Sequence, residues 1–127
     1  MINQHSINQS STNFNLEERT VKLAVSIIDL LKPLKITAKN RRIIDQLIGS
    51  GGSIGANYCE ATEAESKRDF QHKLGICKKE IKETKYWLRL LACTHPEYKP
   101  QIRQLYKESQ ELLLIFSQSI KTSKGNK

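Results

Sequence analysis

The residues that could carry out chemistry in this chain are few, and a run of glycines is the first of them. Four of the six glycines lie in GSGGSIG at residues 49–55. A dinucleotide-binding GxGxxG loop would need a glycine where Ile54 stands, and a phosphate-binding Walker A loop would need a Gly-Lys-Ser/Thr sequence, which does not occur. Because each helical glycine costs ~1 kcal/mol relative to alanine, we expect very close packing of another helix here. A break in the helix is the alternative.

The sequence also gives little support for a metal site or for acid–base catalysis. A di-metal carboxylate site in a helical bundle needs Glu-x-x-His on two helices, and the nearest match, Asp69 to His72, occurs once and lies off the predicted core face. The three histidines lie in three separate contexts. Three cysteines are too few and too scattered for a disulfide scaffold or a zinc site. We therefore predict no metal, no cofactor and no enzymatic activity.

Basic residues form the most distinctive pattern. The chain has 21 Lys and Arg against 13 Asp and Glu, a net charge of +8. A basic band follows one flank of the third predicted helix, and a second cluster spans residues 32–42 at the first turn. Such surfaces bind phosphates electrostatically with little readout of the base sequence. The alternative interpretation is that these lysines form a solvated face with no binding role. The predicted nucleic-acid contacts are Arg41, Arg42, Lys78, Lys82, Lys85 and Arg89.

The opposite flank of the third helix combines acids with apolar side chains. Either it covers a neighbouring helix of the same chain, or it is a contact between subunits. A heterologous contact between two unlike flanks can close into a ring. The predicted interface residues are Ile76, Glu80, Glu83, Trp87 and Leu90.

Three polar residues border the core face of the second helix. Ser53, Asn57 and Glu60 are spaced at i, i+4 and i+7 and so share one flank. Buried polar groups need hydrogen-bond partners, so we predict a structural polar network that crosses between helices.

The elements that position these residues are helices. Apolar side chains recur at helical spacing over about residues 16–34, 39–64, 70–91 and 102–120, with Asn15 and Ser66 as N-caps, Pro33 as the end or a kink of the first helix, and a turn over residues 94–100. Short connections predict an all-α, antiparallel up-down four-helix bundle over residues 14–120. Residues 1–13 are predicted to be a disordered polar tail, and residues 121–127 a short basic tail. No apolar run approaches the ~20 residues of a membrane span. The start lacks a secretory signal, so we expect a reduced, cytoplasmic protein.

Several motifs together resemble a known family. They are S-I-x-x-N-x-x-E at residues 53–60, S-K-x-D-F at 66–70 and K-E-x-x-E-x-x-Y-W-L at 79–88. The chain resembles the bacterial four helix bundle proteins, which include proteins encoded in intervening sequences of 23S rRNA genes. The likeness covers about residues 14–120 and departs at Ala61, where many members carry glycine.

This resemblance implies a four-helix bundle that assembles as a homo-oligomeric ring, typically a homopentamer, and it does not imply an enzyme. A related protein, the accessory variability determinant of diversity-generating retroelements, has the same bundle and works with a reverse transcriptase and nucleic acid. By analogy we expect RNA or DNA binding, with a reverse transcriptase as a further partner. A protein–protein scaffold ring is the alternative.

Overall fold

Four helices account for most of the chain. The computed structural model describes the backbone of residues 4–125 and the side chains of residues 16–125. Over that part of the chain it contains α1 (Gln4–Leu31), α2 (Arg41–Thr62), α3 (Lys67–Thr94) and α4 (Lys99–Gly125), with a short 3-10 helix at Pro96–Tyr98 before α4. No strand occurs within residues 4–125. The predicted all-α class is therefore confirmed.

The helix ends follow local signals at two of the predicted positions. Ser66 caps α3, because its hydroxyl oxygen accepts a hydrogen bond of 3.0 Å from the backbone N–H of Asp69. Helix α1 ends at Leu31, shortly before Pro33. The predicted cap at Asn15 is wrong, because α1 begins at Gln4 and includes that residue. Residues 4–13, which were predicted to belong to a disordered tail, are part of α1, whereas residues 1–3 and 126–127 lie outside the described residues.

The predicted core faces are confirmed in all four helices. Each helix contributes buried apolar residues at the expected spacing, and each packs against the next helix in the chain, while α1 also contacts α4. The four helices thus enclose one core. Its largest fully buried apolar side chains are Leu23, Ile27, Leu47, Ile54, Leu74, Ile81, Leu88, Leu91, Leu112 and Phe116.

One buried asparagine joins two connections between helices. Asn40 is 1% exposed and precedes α2. Its side chain accepts a hydrogen bond from the Thr37 N–H (2.7 Å) and donates one to the Lys35 carbonyl (2.9 Å). The Asn40 amide nitrogen also lies 3.1 Å from Nε2 of His95, which follows α3. The α1–α2 and α3–α4 connections therefore lie at the same end of the molecule.

Close packing explains two of the four glycines in α2. A β-carbon on Gly51 would lie 2.7 Å from Cδ1 of Ile27, and one on Gly55 would lie 2.8 Å from Oγ1 of Thr20. Both contacts are with α1, and α2 continues through the segment without a break. Gly49 and Gly52 have no such neighbour within 4 Å. The packing interpretation is therefore confirmed at positions 51 and 55 only.

Candidate nucleic-acid interface

An open groove of about 790 Å³ runs along the outer surface of α3 and reaches the last turns of α4. We call it the lysine groove. Four cations and one acid contribute to its wall, which gives the wall a net charge of +3. Two aromatic side chains, Tyr86 and Trp87, also line the groove. Its charged members are Lys78, Lys79, Lys82, Lys124 and Glu83.

A second basic groove follows on the same helix pair. This arginine groove, of about 340 Å³, is lined by Arg89 of α3 together with Lys99, Arg103 and Tyr106 of the α4 side. At 1.5 Å per residue, Lys78 and Arg89 are about 16 Å apart along the axis of α3. Seven basic side chains therefore follow one another along the α3–α4 face. Within residues 16–125, none of the seven forms a salt bridge.

Lys85 lies between these grooves and already has interaction partners within the chain. Its Nζ hydrogen-bonds the side chain of Gln110 and lies 5.0 Å from the centre of the Tyr106 ring. The half-buried Lys85 thus links α3 to α4 and has less freedom to meet a phosphate than its exposed neighbour Lys82. Its predicted role as a nucleic-acid contact stays a prediction.

The remaining predicted contacts divide between two places. Lys78 and Lys82 share the lysine groove, and Arg89 lies in the arginine groove. Arg41 and Arg42 are exposed at the start of α2 and line neither groove. Sequence reasoning did not select Lys124, because the helical period of α3 says nothing about which turn of α4 lies beside it. The basic last turn of α4 was the available signal.

Most charge pairing occurs on the other sides of the bundle. Arg19 of α1 forms two hydrogen bonds with the Glu108 carboxylate, at 2.7 and 2.9 Å, and a longer contact of 3.3 Å with Glu111. The hydrogen bond to Glu108 raises the pKa of Arg19. Lys73 pairs with Glu60 at 2.7 Å between α3 and α2. These acids neutralise cations away from the two grooves and leave the α3–α4 face basic.

The predicted subunit interface on α3 is half-buried within the single chain. Trp87 and Leu90 pack against the core, which supports the alternative that this flank covers a neighbouring helix. Burial, followed by the charge of Glu83, raises the pKa of Glu80. A contact between subunits through Ile76, Glu80, Glu83, Trp87 and Leu90 stays a prediction.

The predicted polar network forms only in part. Asn57 donates to the Ser53 carbonyl within α2 at 2.8 Å, and Glu60 reaches α3 through Lys73. The buried hydrogen bond between α2 and α3 is made by Ser50 and Thr84, whose hydroxyl oxygens are 2.9 Å apart. The prediction for Ser53, Asn57 and Glu60 as one cross-helix network is therefore corrected. The reason is that Ser50 lies one turn earlier and closer to the core face.

Cys77 behaves as a core residue. Burial raises its pKa to about 12, and its Sγ lies 3.5 Å from the Ile54 carbonyl oxygen. A thiol with such a pKa is a poor nucleophile at neutral pH. Over residues 16–125, no three or more His, Cys, Asp or Glu side chains are grouped to hold a metal ion, and none of the described helices could span a membrane.

Comparison with known proteins identifies the family. A family model described as 23S rRNA-intervening sequence protein matches residues 12–118. The chain belongs to this family. A crystal structure from the S23 ribosomal protein family of Bacteroides thetaiotaomicron, of a protein with unknown function, is 33% identical and superposes with a TM-score of 0.76. The match covers 86% of this chain and 97% of that chain. A search of curated proteins finds no match. The family assignment confirms the resemblance inferred from the sequence motifs.

Proposed function

We propose that this member of the 23S rRNA-intervening sequence protein family binds RNA or DNA through phosphate contacts and is not an enzyme. The observation that carries the proposal is the series of seven basic side chains, free of salt bridges within the described residues, along the α3–α4 face. Counterion release makes such a surface attractive to any polyanion. The contacts fix position on the nucleic acid without reading its bases.

We also propose that the helices alternate in direction and that the chain self-associates into a ring. The hydrogen bond between Asn40 and His95, which brings two connections to one end, supports the alternating direction. Self-association is supported by an exposed apolar surface on α1 and α2. Val21, Val25 and Ile28 share one face of α1, and Ile48 lies on α2 close to Gly51, which contacts α1.

A salt titration tests nucleic-acid binding. We expect a labelled RNA hairpin and a DNA duplex of the same sequence to bind tightly at low salt. Seven phosphate contacts predict a slope of about −6 for log K against log salt on duplex DNA. Fluorescence anisotropy measures both quantities. Absence of binding at low salt would contradict the proposal and leave the seven cations as a solvated face.

The second candidate is a scaffold ring that contacts only proteins, including a reverse transcriptase by analogy. The exposed apolar surface favours it, because Val25 is 48% and Ile28 41% exposed in the single chain. We expect Val25→Asp combined with Ile28→Asp to lower the molar mass in light scattering while circular dichroism stays unchanged. Leu114→Asp, at a residue 59% exposed on α4, is the control. An unchanged mass in the double variant would contradict this surface as the interface.

A further inference from the structure

Tyr86 has an unusual position in the lysine groove. Among the Phe, Tyr and Trp side chains at residues 16–125, it is the only exposed one, at 54%. Its ring contacts that of Trp87 in a perpendicular arrangement, with the centres 5.1 Å apart and an angle of 82° between the planes. This contact restrains the Tyr86 ring in a groove whose other members include four lysines.

The same groove supplies cations around that ring. Lys79 and Lys82 lie seven and four residues before Tyr86 and so share its face of α3, and Lys124 of α4 lines the same groove. A polyanion drawn in by these charges would meet the ring of Tyr86 directly. Lysines beside an exposed aromatic side chain form the pairing by which proteins hold single strands, through phosphate attraction and base stacking together.

We infer that the lysine groove binds unpaired nucleotides, with a base stacked on Tyr86 and the adjoining phosphates held by Lys78, Lys79 and Lys82. This inference rests on the proposed function and makes it more specific. In a duplex, the faces of the bases are covered by their neighbours, so only phosphates would be open to this groove. A single strand, a loop or a bulge exposes a base face that can stack on the ring.

The test compares a short labelled oligothymidylate with a DNA duplex of equal length at the same salt concentration. We expect Tyr86→Ala to weaken binding of the oligothymidylate about tenfold and to leave duplex binding unchanged. Tyr86→Phe keeps the stacking surface and is expected to bind like the original chain. Leu114→Ala, which removes another exposed side chain, is the matched control for nonspecific effects.

Tryptophan fluorescence gives an independent measurement. Trp87 is the only tryptophan in the chain and contacts Tyr86, so a base stacked in the groove is expected to quench its emission. Circular dichroism and thermal unfolding check that each variant is folded. Equal loss of single-strand and duplex binding in Tyr86→Ala, or no loss of either, would overturn the stacking role while the proposed function stands. Failure of the original chain to bind either probe would overturn both.

Discussion

Gly55→Val is expected to lower the free energy of unfolding by about 3 kcal/mol. A β-carbon at this position would lie 2.8 Å from Oγ1 and 3.1 Å from Cβ of Thr20. Thr20 has little room to move, because it is 1% exposed and its hydroxyl donates a hydrogen bond of 2.8 Å to the Glu17 carbonyl. Its branched side chain also restricts χ1. Helices α1 and α2 would have to separate, and the core between them would lose packing.

Gly52→Val is the matched control for this substitution. It adds the same side chain to the same helix, but a β-carbon on Gly52 has no neighbour within 4 Å. We expect its free energy of unfolding to stay within about 0.5 kcal/mol of the original value. Denaturant unfolding at equal protein concentration measures both variants. If the two valine variants were equally stable, the close approach of α1 to α2 would not depend on Gly55.

Lys78→Gln combined with Lys82→Gln is expected to weaken nucleic-acid binding about ten- to thirtyfold at about 0.15 M salt. Each substitution removes one cation of the lysine groove, and each lost phosphate contact should reduce the salt slope by roughly one. Lys85 is left unchanged, because its contacts with Gln110 and Tyr106 link α3 to α4. The loss of affinity should therefore occur without loss of folded structure.

The control carries the same change of charge elsewhere. Lys22→Gln combined with Lys32→Gln also removes two cations; both are exposed and lie outside the two grooves. Lys32 contacts Asp29 in an exposed pair at 3.3 Å, an interaction of small energetic value. Salt titrations of both double variants measure affinity and slope. An equal effect in the two would mean that net charge, and not the lysine groove, governs binding.

The spacing of the buried residues along each helix was the feature of this fold that could best be predicted from the sequence. Leu74, Ile81 and Leu88 follow each other at seven-residue spacing on α3, and all three are fully buried. The Ser66 cap could also be predicted from the sequence, because Ser66 and Asp69, whose backbone N–H donates the hydrogen bond, are close in the chain. Such features depend on a single helix and its period.

Features that depend on two helices were harder to predict. The helical period places Ser53 and Asn57 on one flank of α2, but it does not say how far that helix is shifted along α3. The observed hydrogen bond between Ser50 and Thr84 depends on that shift. Lys124 enters the lysine groove for the same reason, since the position of α4 along α3 follows from packing in three dimensions. For a candidate site shared by two helices, the sequence therefore predicted the residues on α3 but not the one on α4.

The ion pairs of Arg19 bear on how cooperatively the molecule unfolds. Of the neighbouring helix pairs, α1 and α4 contact each other least, and Arg19 with Glu108 and Glu111 joins them near the surface. Partly exposed pairs of this kind contribute little, and salt screens them. Helix α1 is thus held chiefly by its packing against α2. We expect α1 to be the first helix to detach in local opening, with α2, α3 and α4 remaining as the slowest-exchanging unit.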